Sequence, residues 1–424
     1  MPTRRAINHS LFTLGGLFAL AGPRAVLAQD TGKTASISTV APQSAAKLAT
    51  QTEVVVDRGE VPMLSPGSSE AMDGAIAIYE EIVAGGGWQQ LPMKKLTKGN
   101  KGAPVVALRQ RLVAENYSPF DTLNGDNAET YDSELEESVR AFQINHGVLP
   151  SGTVAEKTLA AFNVTADERL QALRENVPRV RTYAEGLGNR YILVNIPGTQ
   201  LESVENGTVY SRHNVVAGKL ERPSPALISK VSDINFNPYW KVPASIVEKD
   251  IVPQYMEDPN YLDANHIRVF DGVEGPEVDP TLIDWTSEAP DRYFFRQDPG
   301  DFNSLGLVKI NFPNKHMVYM HDTPHRELFG RNVRFESSGC IRVDGVRTLV
   351  NWVINGQDGF DDTQYEMQTA SQENYDLPIA DGPGVRFMYL TAWATEDGRV
   401  NFRPDIYGLD GTGFILGQPE PQSF

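Results

Sequence analysis

The sequence predicts an α+β chain in which a small helical unit precedes a mixed β-sheet domain, and three observations lead there. Apolar residues recur at helical spacing in three short runs between residues 91 and 164. From Tyr191 the period drops to two, with Ile192, Val194 and Ile196 alternating against Tyr191, Leu193 and Asn195. Between residues 241 and 304 neither period holds. Pro, Asp and aromatic residues crowd that stretch, and insertions of this length in compact domains are usually lids or binding loops.

Taken in order, the chain opens with Arg4 and Arg5, an apolar run from Leu11 to Gly22, and Val26 and Ala28 before Gln29, the succession of a secretory signal peptide over residues 1–28. Twelve apolar-run residues fall short of the roughly 20 that cross a bilayer, so export without a permanent membrane span is expected, by the general or the twin-arginine route. Residues 29–70, rich in Ser, Thr, Ala and Gln, read as a flexible tether. A scaffold helix over 71–90 places Ile76, Tyr79 and Val83 on one face and stops at Gly85, Gly86 and Gly87. In the 91–164 unit, Pro104 opens a helix bearing Val105, Leu108 and Leu112. A second follows Asp132 with Leu135, Val139 and Phe142, and Thr153 with Glu156 has capping-box spacing before a third. A unit this small is marginal alone and should pack on something. Thr165 and Glu168 form another capping box, for a linker helix over 165–190.

The sheet domain is expected over 191–356, with the lid or binding-loop insertion at about 241–304. It starts as a hairpin in which the turn Glu205, Asn206 and Gly207 brings TVYSRHNVVAGK back. Further strands are expected over 305–312 and 316–321, with Pro313 and Asn314 between them. Residues 357–424 read as a C-terminal extension packing on this domain.

Composition narrows the function. With 424 residues, 40% hydrophobic and 22% charged, the chain is a folded one of two or three domains and not a disordered polymer. Lys+Arg 38 against Asp+Glu 55 gives a net charge of -17, which disfavours nucleic acid or an anionic membrane surface as partner. A single cysteine excludes an intramolecular disulfide framework, a zinc ribbon and a CxxC redox site.

That cysteine lies in HDTPHRELFGRNVRFESSGCIRVDGVRTLVNWV, residues 321–353. Cys340 follows Ser337, Ser338 and Gly339 and precedes a helix carrying Val346, Leu349, Val350 and Val353. A free thiol is mostly protonated at neutral pH, so a nucleophilic cysteine needs a nearby imidazole, and His321 at the end of a strand is the candidate. Gly339 lets backbone approach a carbonyl, and the amides of Gly339 and Cys340 are candidate oxyanion donors. A lone cysteine is more often a small buried hydrophobe, but the Ser-Ser-Gly approach and the flanking arginines argue for catalysis. His325 follows Pro324 and should turn away, which also spoils a metal site built from His321, His325 and Cys340. His146, His213, His266 and His316 stand in no motif and read as surface or packing residues.

The segment resembles the signature of the L,D-transpeptidases of the YkuD type, on His321, Ser337, Ser338, Gly339, Cys340 and Arg342. It is most similar to their large Gram-negative, YcbB-like branch, a likeness that extends over YILVNIPG, VVAGKLERPSP, INFNPYWKVPASI, FRQDPGDFNSLGLVKINFPN and TAWATEDGRVNFRPDIYG. KGNKGAPVVALRQRL and YDSELEESVRAFQINHGVLPSGTV resemble a peptidoglycan-binding domain, with Ser151 and Gly152 where that family usually has Asp-Gly. The resemblance implies a sandwich-like mixed sheet with an inserted capping subdomain. It also implies acyl transfer between peptidoglycan stem tetrapeptides through a Cys340 thioester, with D-Ala released, no cofactor, a periplasmic location and acylation by carbapenems. Arg342, Ser337, Tyr319, Asp322, Arg296 and Trp240 are the residues it would set against the substrate, and cell-wall synthases are the further partners it suggests. Water or a lipoprotein lysine could replace the second stem as acceptor, and a non-catalytic wall anchor would use the helical module alone. A papain-like protease is disfavoured because there Cys precedes His.

Overall fold

The structure, a computed structural model, describes residues 61–416 except 93, 126, 287–291 and 356–361. The expected signal peptide and most of the expected tether lie outside the described residues. The tether does not extend to residue 70. Met63 and Leu64 are buried, the Met63 amide donates to Glu202 Oε2 at 2.7 Å, and Tyr191 donates its hydroxyl to the Leu64 carbonyl at 3.0 Å. Two adjacent apolar residues in a polar stretch found a core to enter, which average composition hides.

Among the described residues, five α-helices follow: α1 (Ser68–Ala84), α2 (Ala103–Ala114), α3 (Ser133–Asn145), α4 (Glu156–Phe162) and α5 (Ala166–Ala184). Pro104 sits in the first turn of α2, Asp132 accepts the Leu135 amide at the start of α3, and Thr165 with Glu168 closes a capping box on α5. The box expected at Thr153 does not form, because α4 starts later with Ala155 at its cap. The carbonyl of Thr153 is instead held by Gln143 Nε2 at 2.9 Å. Helices α2 to α4 enclose one small core around Leu108, Leu135, Val139, Phe142 and Phe162.

Among the described residues, the strands after α5 are β1 (Arg190–Asn195), β2 (Gln200–Glu205), β3 (Thr208–Gly218), β4 (Leu227–Lys230), β5 (Asp233–Phe236), β6 (Trp240–Lys241), β7 (Ile267–Phe270), β8 (Phe294–Gln297), β9 (Val308–Asn311), β10 (Met320–His321), β11 (Phe335–Ser337), β12 (Ile341–Val343), β13 (Tyr375–Pro378), β14 (Gly384–Met388), β15 (Ala392–Ala394) and β16 (Val400–Phe402). The main mixed sheet runs β13-β5-β9-β10-β12-β3-β2-β1-β14-β4, with β11 on β3. Its two faces are both covered, as the all-apolar run in β1 requires. Ile192 and Val194 join one core with α9 (Val346–Ile354), whereas Tyr191 and Leu193 pack against α1 and α5 through Met72, Tyr79, Leu173 and Tyr183.

Three details differ from expectation. The strand returning from the turn at Glu205–Gly207 pairs with β2, not with β1, because QLESVE is itself a strand whose Leu201 and Val204 are buried. Only Met320 and His321 of the run 316–321 are extended, since Met317 adopts a φ of 55° and is exposed. The C-terminal stretch is no extension: β14 lies parallel to β1 inside the sheet and β13 forms its edge on β5. The stretch expected as an insertion carries the three-stranded sheet β6-β8-β7, a helical run through α6 (Ala244–Ile246), a π-turn (Val247–Ile251) and α7 (Val252–Glu257), then α8 (Tyr261–Ala264). Its own core holds Val247, Ile251, Tyr255, Ile267 and Phe295.

Candidate active site

Strands β10 and β12 run parallel with Met320 opposite Ile341 and His321 opposite Arg342. Side chains alternate along a strand, so Met320 and Ile341 go down into the core while His321 and Arg342 share the other face; Tyr319 and Cys340 stand just before the two strands, where the Tyr319 carbonyl accepts the Ile341 amide at 3.0 Å and Cys340 also packs against the edge of that core. On the far side β9 places Lys309 opposite His321 in antiparallel register. Three neighbouring strands, β9, β10 and β12, with the residues just before the last two, therefore gather thiol, imidazole, phenol and two cations.

The loop that presents Cys340 is fixed by hydrogen bonds. Ser337 Oγ donates to the Cys340 carbonyl at 2.6 Å and accepts the Gly339 amide at 3.2 Å, and Ser224 Oγ donates to the Gly339 carbonyl at 2.8 Å. Gly339 itself has a φ of 111°, a conformation that side-chain-bearing residues rarely adopt. On its exposed side, Ser338 Oγ accepts from Arg222 at 2.9 Å, and Arg222 is paired with Asp250 in the π-turn of the inserted subdomain. One arginine thus joins the cysteine loop to the cap.

His321 is buried, and its Nδ1 donates to the Asp322 carbonyl at 2.6 Å, so Nε2 carries the free lone pair. Burial, followed by the positive charge of Arg342, lowers its pKa to about 3, with the Asp322 carbonyl pulling upward and Lys309 pushing down. The imidazole is neutral at pH 7. Burial raises the Cys340 thiol above its usual range, and the backbone and hydroxyl of Tyr319, then Lys309 and Arg342, oppose that rise. The Tyr319 ring meets His321 edge-on at 5.6 Å. Beside these groups a groove of about 790 Å³ opens between the sheet and the cap, walled by Tyr319, Lys309, Asn235, Trp240 and Tyr239 among others.

Residues 189–360 match the YkuD family, described as the L,D-transpeptidase catalytic domain, and residues 101–162 match the family described as "Putative peptidoglycan binding domain". The chain carries an L,D-transpeptidase catalytic domain beside a peptidoglycan-binding module. A Haemophilus influenzae protein named "Putative L,D-transpeptidase" is 35% identical over 257 residues, 60% of this chain and 51% of its own length. The chain therefore spans about half the length of that curated relative. Among solved structures, the L,D-transpeptidase of Xylanimonas cellulosilytica is 15% identical, covering 70% of this chain and 98% of its own, with a TM-score of 0.23. That of Stackebrandtia nassauensis is 12% identical, covering 71% and 97%, with a TM-score of 0.25.

Within the transpeptidase domain, the residues expected at the site divide into two groups. Cys340, His321, Tyr319 and Arg342 come together on one face, and the Nε of Arg342 is buried with no hydrogen-bond partner among the described residues. Trp240 lines the groove and acts on the Tyr319 hydroxyl. Asp322 does not face a substrate: it is buried, accepts the Leu307 amide at 3.1 Å and pairs with Arg326 at 2.9 Å. Ser337 is buried and spent on the cysteine loop, and the Gly339 amide is turned to Ser337, away from the oxyanion role expected of it. Arg296 stacks between Tyr239 and Phe270, with its guanidinium carbon 4.5 and 4.6 Å from the two ring centres, and so packs the cap. Sequence reading missed Lys309 and Arg222. A lysine inside the apolar strand LGLVKINF was the available signal for the first.

Asp322 also explains Gly306. A Cβ on Gly306 would lie 2.4 Å from Asp322 Oδ2, and its φ is 61°. Gly306→Ala is expected to destabilise the domain by at least the roughly 1–3 kcal/mol that such backbone strain costs. Urea unfolding checks this, and an unchanged midpoint would show that the 306–307 loop yields freely.

Proposed function

We propose that this protein is an exported, periplasmic L,D-transpeptidase that joins the third residues of two peptidoglycan stems. The observation that supports the reading is the β10–β12 register, which pairs His321 with Arg342, two residues after Cys340, near a groove walled by Tyr319 and the cap residue Trp240. The Cys340 thiolate attacks the carbonyl of the third residue of a tetrapeptide donor after His321 Nε2 takes the thiol proton. The carbon–nitrogen bond to the terminal D-Ala breaks, His321 returns the proton to the departing amine, and a thioester remains. A side-chain amine of diaminopimelate on a second stem then attacks the thioester. Its proton passes to His321, the carbon–sulfur bond breaks, and Cys340 regains a proton. With the Gly339 amide engaged, the Cys340 amide is the donor assigned to the oxyanion, and Arg342 the cation assigned to a substrate carboxylate.

The test is mass spectrometry of products after mixing the protein, and separately Cys340→Ala, with purified disaccharide-tetrapeptide. A dimer lacking one D-Ala, formed only with the cysteine present, is expected. A tripeptide monomer in its place would make water the acceptor and the protein a carboxypeptidase. Product from Cys340→Ala would remove the cysteine from the chemistry.

A further inference from the structure

We propose that Lys309 is a positioning residue for acyl transfer: its ammonium, held in the groove wall beside the thiol, keeps Cys340 within reach of its thiolate form while keeping His321 free of a second proton. The inference rests on reading Cys340 as the nucleophile. Geometry supplies the case. Lys309 stands opposite His321 across β9 and β10 and opposite Asn235 across β9 and β5. Its Nζ lies 4.2 Å from the centre of the Tyr319 ring, whose hydroxyl side meets Cys340. A cation over an aromatic face is held without being neutralised.

The acids around it leave that charge available. Asp233 on β5 accepts from Asn311 Nδ2 at 2.5 Å and Ser232 Oγ at 2.7 Å, and Asp376 on β13 accepts from Asn235. Among the described residues no carboxylate makes an ion pair with Lys309. Burial lowers the lysine's pKa from its usual value; Cys340, Asp233 and Asp376 work against that shift, and Lys241 on β6 adds to it. Those acting on the thiol, besides Lys309, are Tyr319 and Arg342, and Arg342 is in turn faced by Glu336 and Glu327. A positive charge near both groups favours thiolate and disfavours imidazolium. His321 is thereby kept neutral at rest, with its Nε2 lone pair open to take the Cys340 proton and pass it on to the leaving amine.

The experiment measures alkylation of Cys340 by iodoacetamide, read as intact mass, from pH 5 to 10 in the unaltered protein, Lys309→Gln and Lys309→Arg. Lys309→Gln is expected to move the profile to higher pH by about one unit, about tenfold slower alkylation at pH 7.5, with Lys309→Arg restoring most of it. Unfolding midpoints are taken on the same samples, and Lys309→Met replaces Lys309→Gln if the latter does not fold. Superimposed profiles for folded Lys309→Gln and the unaltered protein would overturn this role alone. A Cys340 that is unreactive at every pH in the unaltered protein would overturn the nucleophile reading together with it.

Discussion

His321→Gln is expected to lower the rate of Cys340 acylation by a tetrapeptide donor about 10²–10⁴-fold, the usual contribution of a positioned general base. The glutamine can still donate to the Asp322 carbonyl that Nδ1 now holds at 2.6 Å, so the loop keeps its anchor while the Nε2 lone pair is lost. Rate against pH makes the claim sharper. With a His321 pKa of about 3, the imidazole is already neutral throughout pH 5–9, so protonation of the base should not bend the profile near 6.5. The thiol, raised by burial, should make the rate climb with pH through the neutral range. Single-turnover acylation followed by intact mass between pH 4 and 9 checks both statements. A break near pH 6.5 that vanishes in His321→Gln would mean that the imidazole titrates as if exposed, and equal rates in the two proteins would assign the proton to another group.

Much of this site was legible because it is local. His321 and Cys340 belong to one segment, strand propensity around Met320 and Ile341 is plain, and alternation then fixes which residues share a face. The small core of α2 to α4 was equally open to reading, since each helix shows its apolar stripe within a dozen residues. What escaped depends on contacts between distant parts of the chain. GVRFM looks like any short apolar run, and nothing within it says that it will lie parallel to a strand nearly two hundred residues earlier. Asp322 beside a histidine read as catalytic suggests a substrate contact until Leu307 and Arg326 are seen to occupy its oxygens. Ser337 misled in the same way, because a hydroxyl that shapes a loop and one that meets a ligand have the same sequence signature. Lys309 was missed for the opposite reason: strand patterning treats a polar position as facing solvent, whereas this one faces a thiol.

The helical module is expected to be fastened to the rest of the chain by one buried charge pair, so that Glu115→Ala costs about 3–5 kcal/mol. Arg111 and Glu115 are an ion pair whose side chains are 1% and 2% exposed. Arg111 also donates Nε to the Phe162 carbonyl at 3.1 Å and lies 3.6 Å from the centre of the Trp88 ring, and Glu115 accepts the hydroxyl of Tyr79 on α1 at 2.6 Å. The pair thus connects α2 of the module to α1 and the segment after it. Elsewhere the contact is stacking and hydrogen bonds to neutral acceptors, with His146 on Phe402, Arg403 donating to the Asn145 carbonyl at 2.8 Å and Arg169 to the Ala161 carbonyl at 3.0 Å. Removing Glu115 leaves a guanidinium buried without a counter-charge and a tyrosine hydroxyl without its acceptor, the arrangement in which loss of one partner costs far more than the pair contributes. The double change Arg111→Met with Glu115→Leu removes both charges and is expected to recover most of the loss. Urea unfolding of the three proteins decides the matter. A cost below about 1 kcal/mol for Glu115→Ala, the value for an exposed pair, would show that water reaches this contact and that the aromatic stack is what fixes the module.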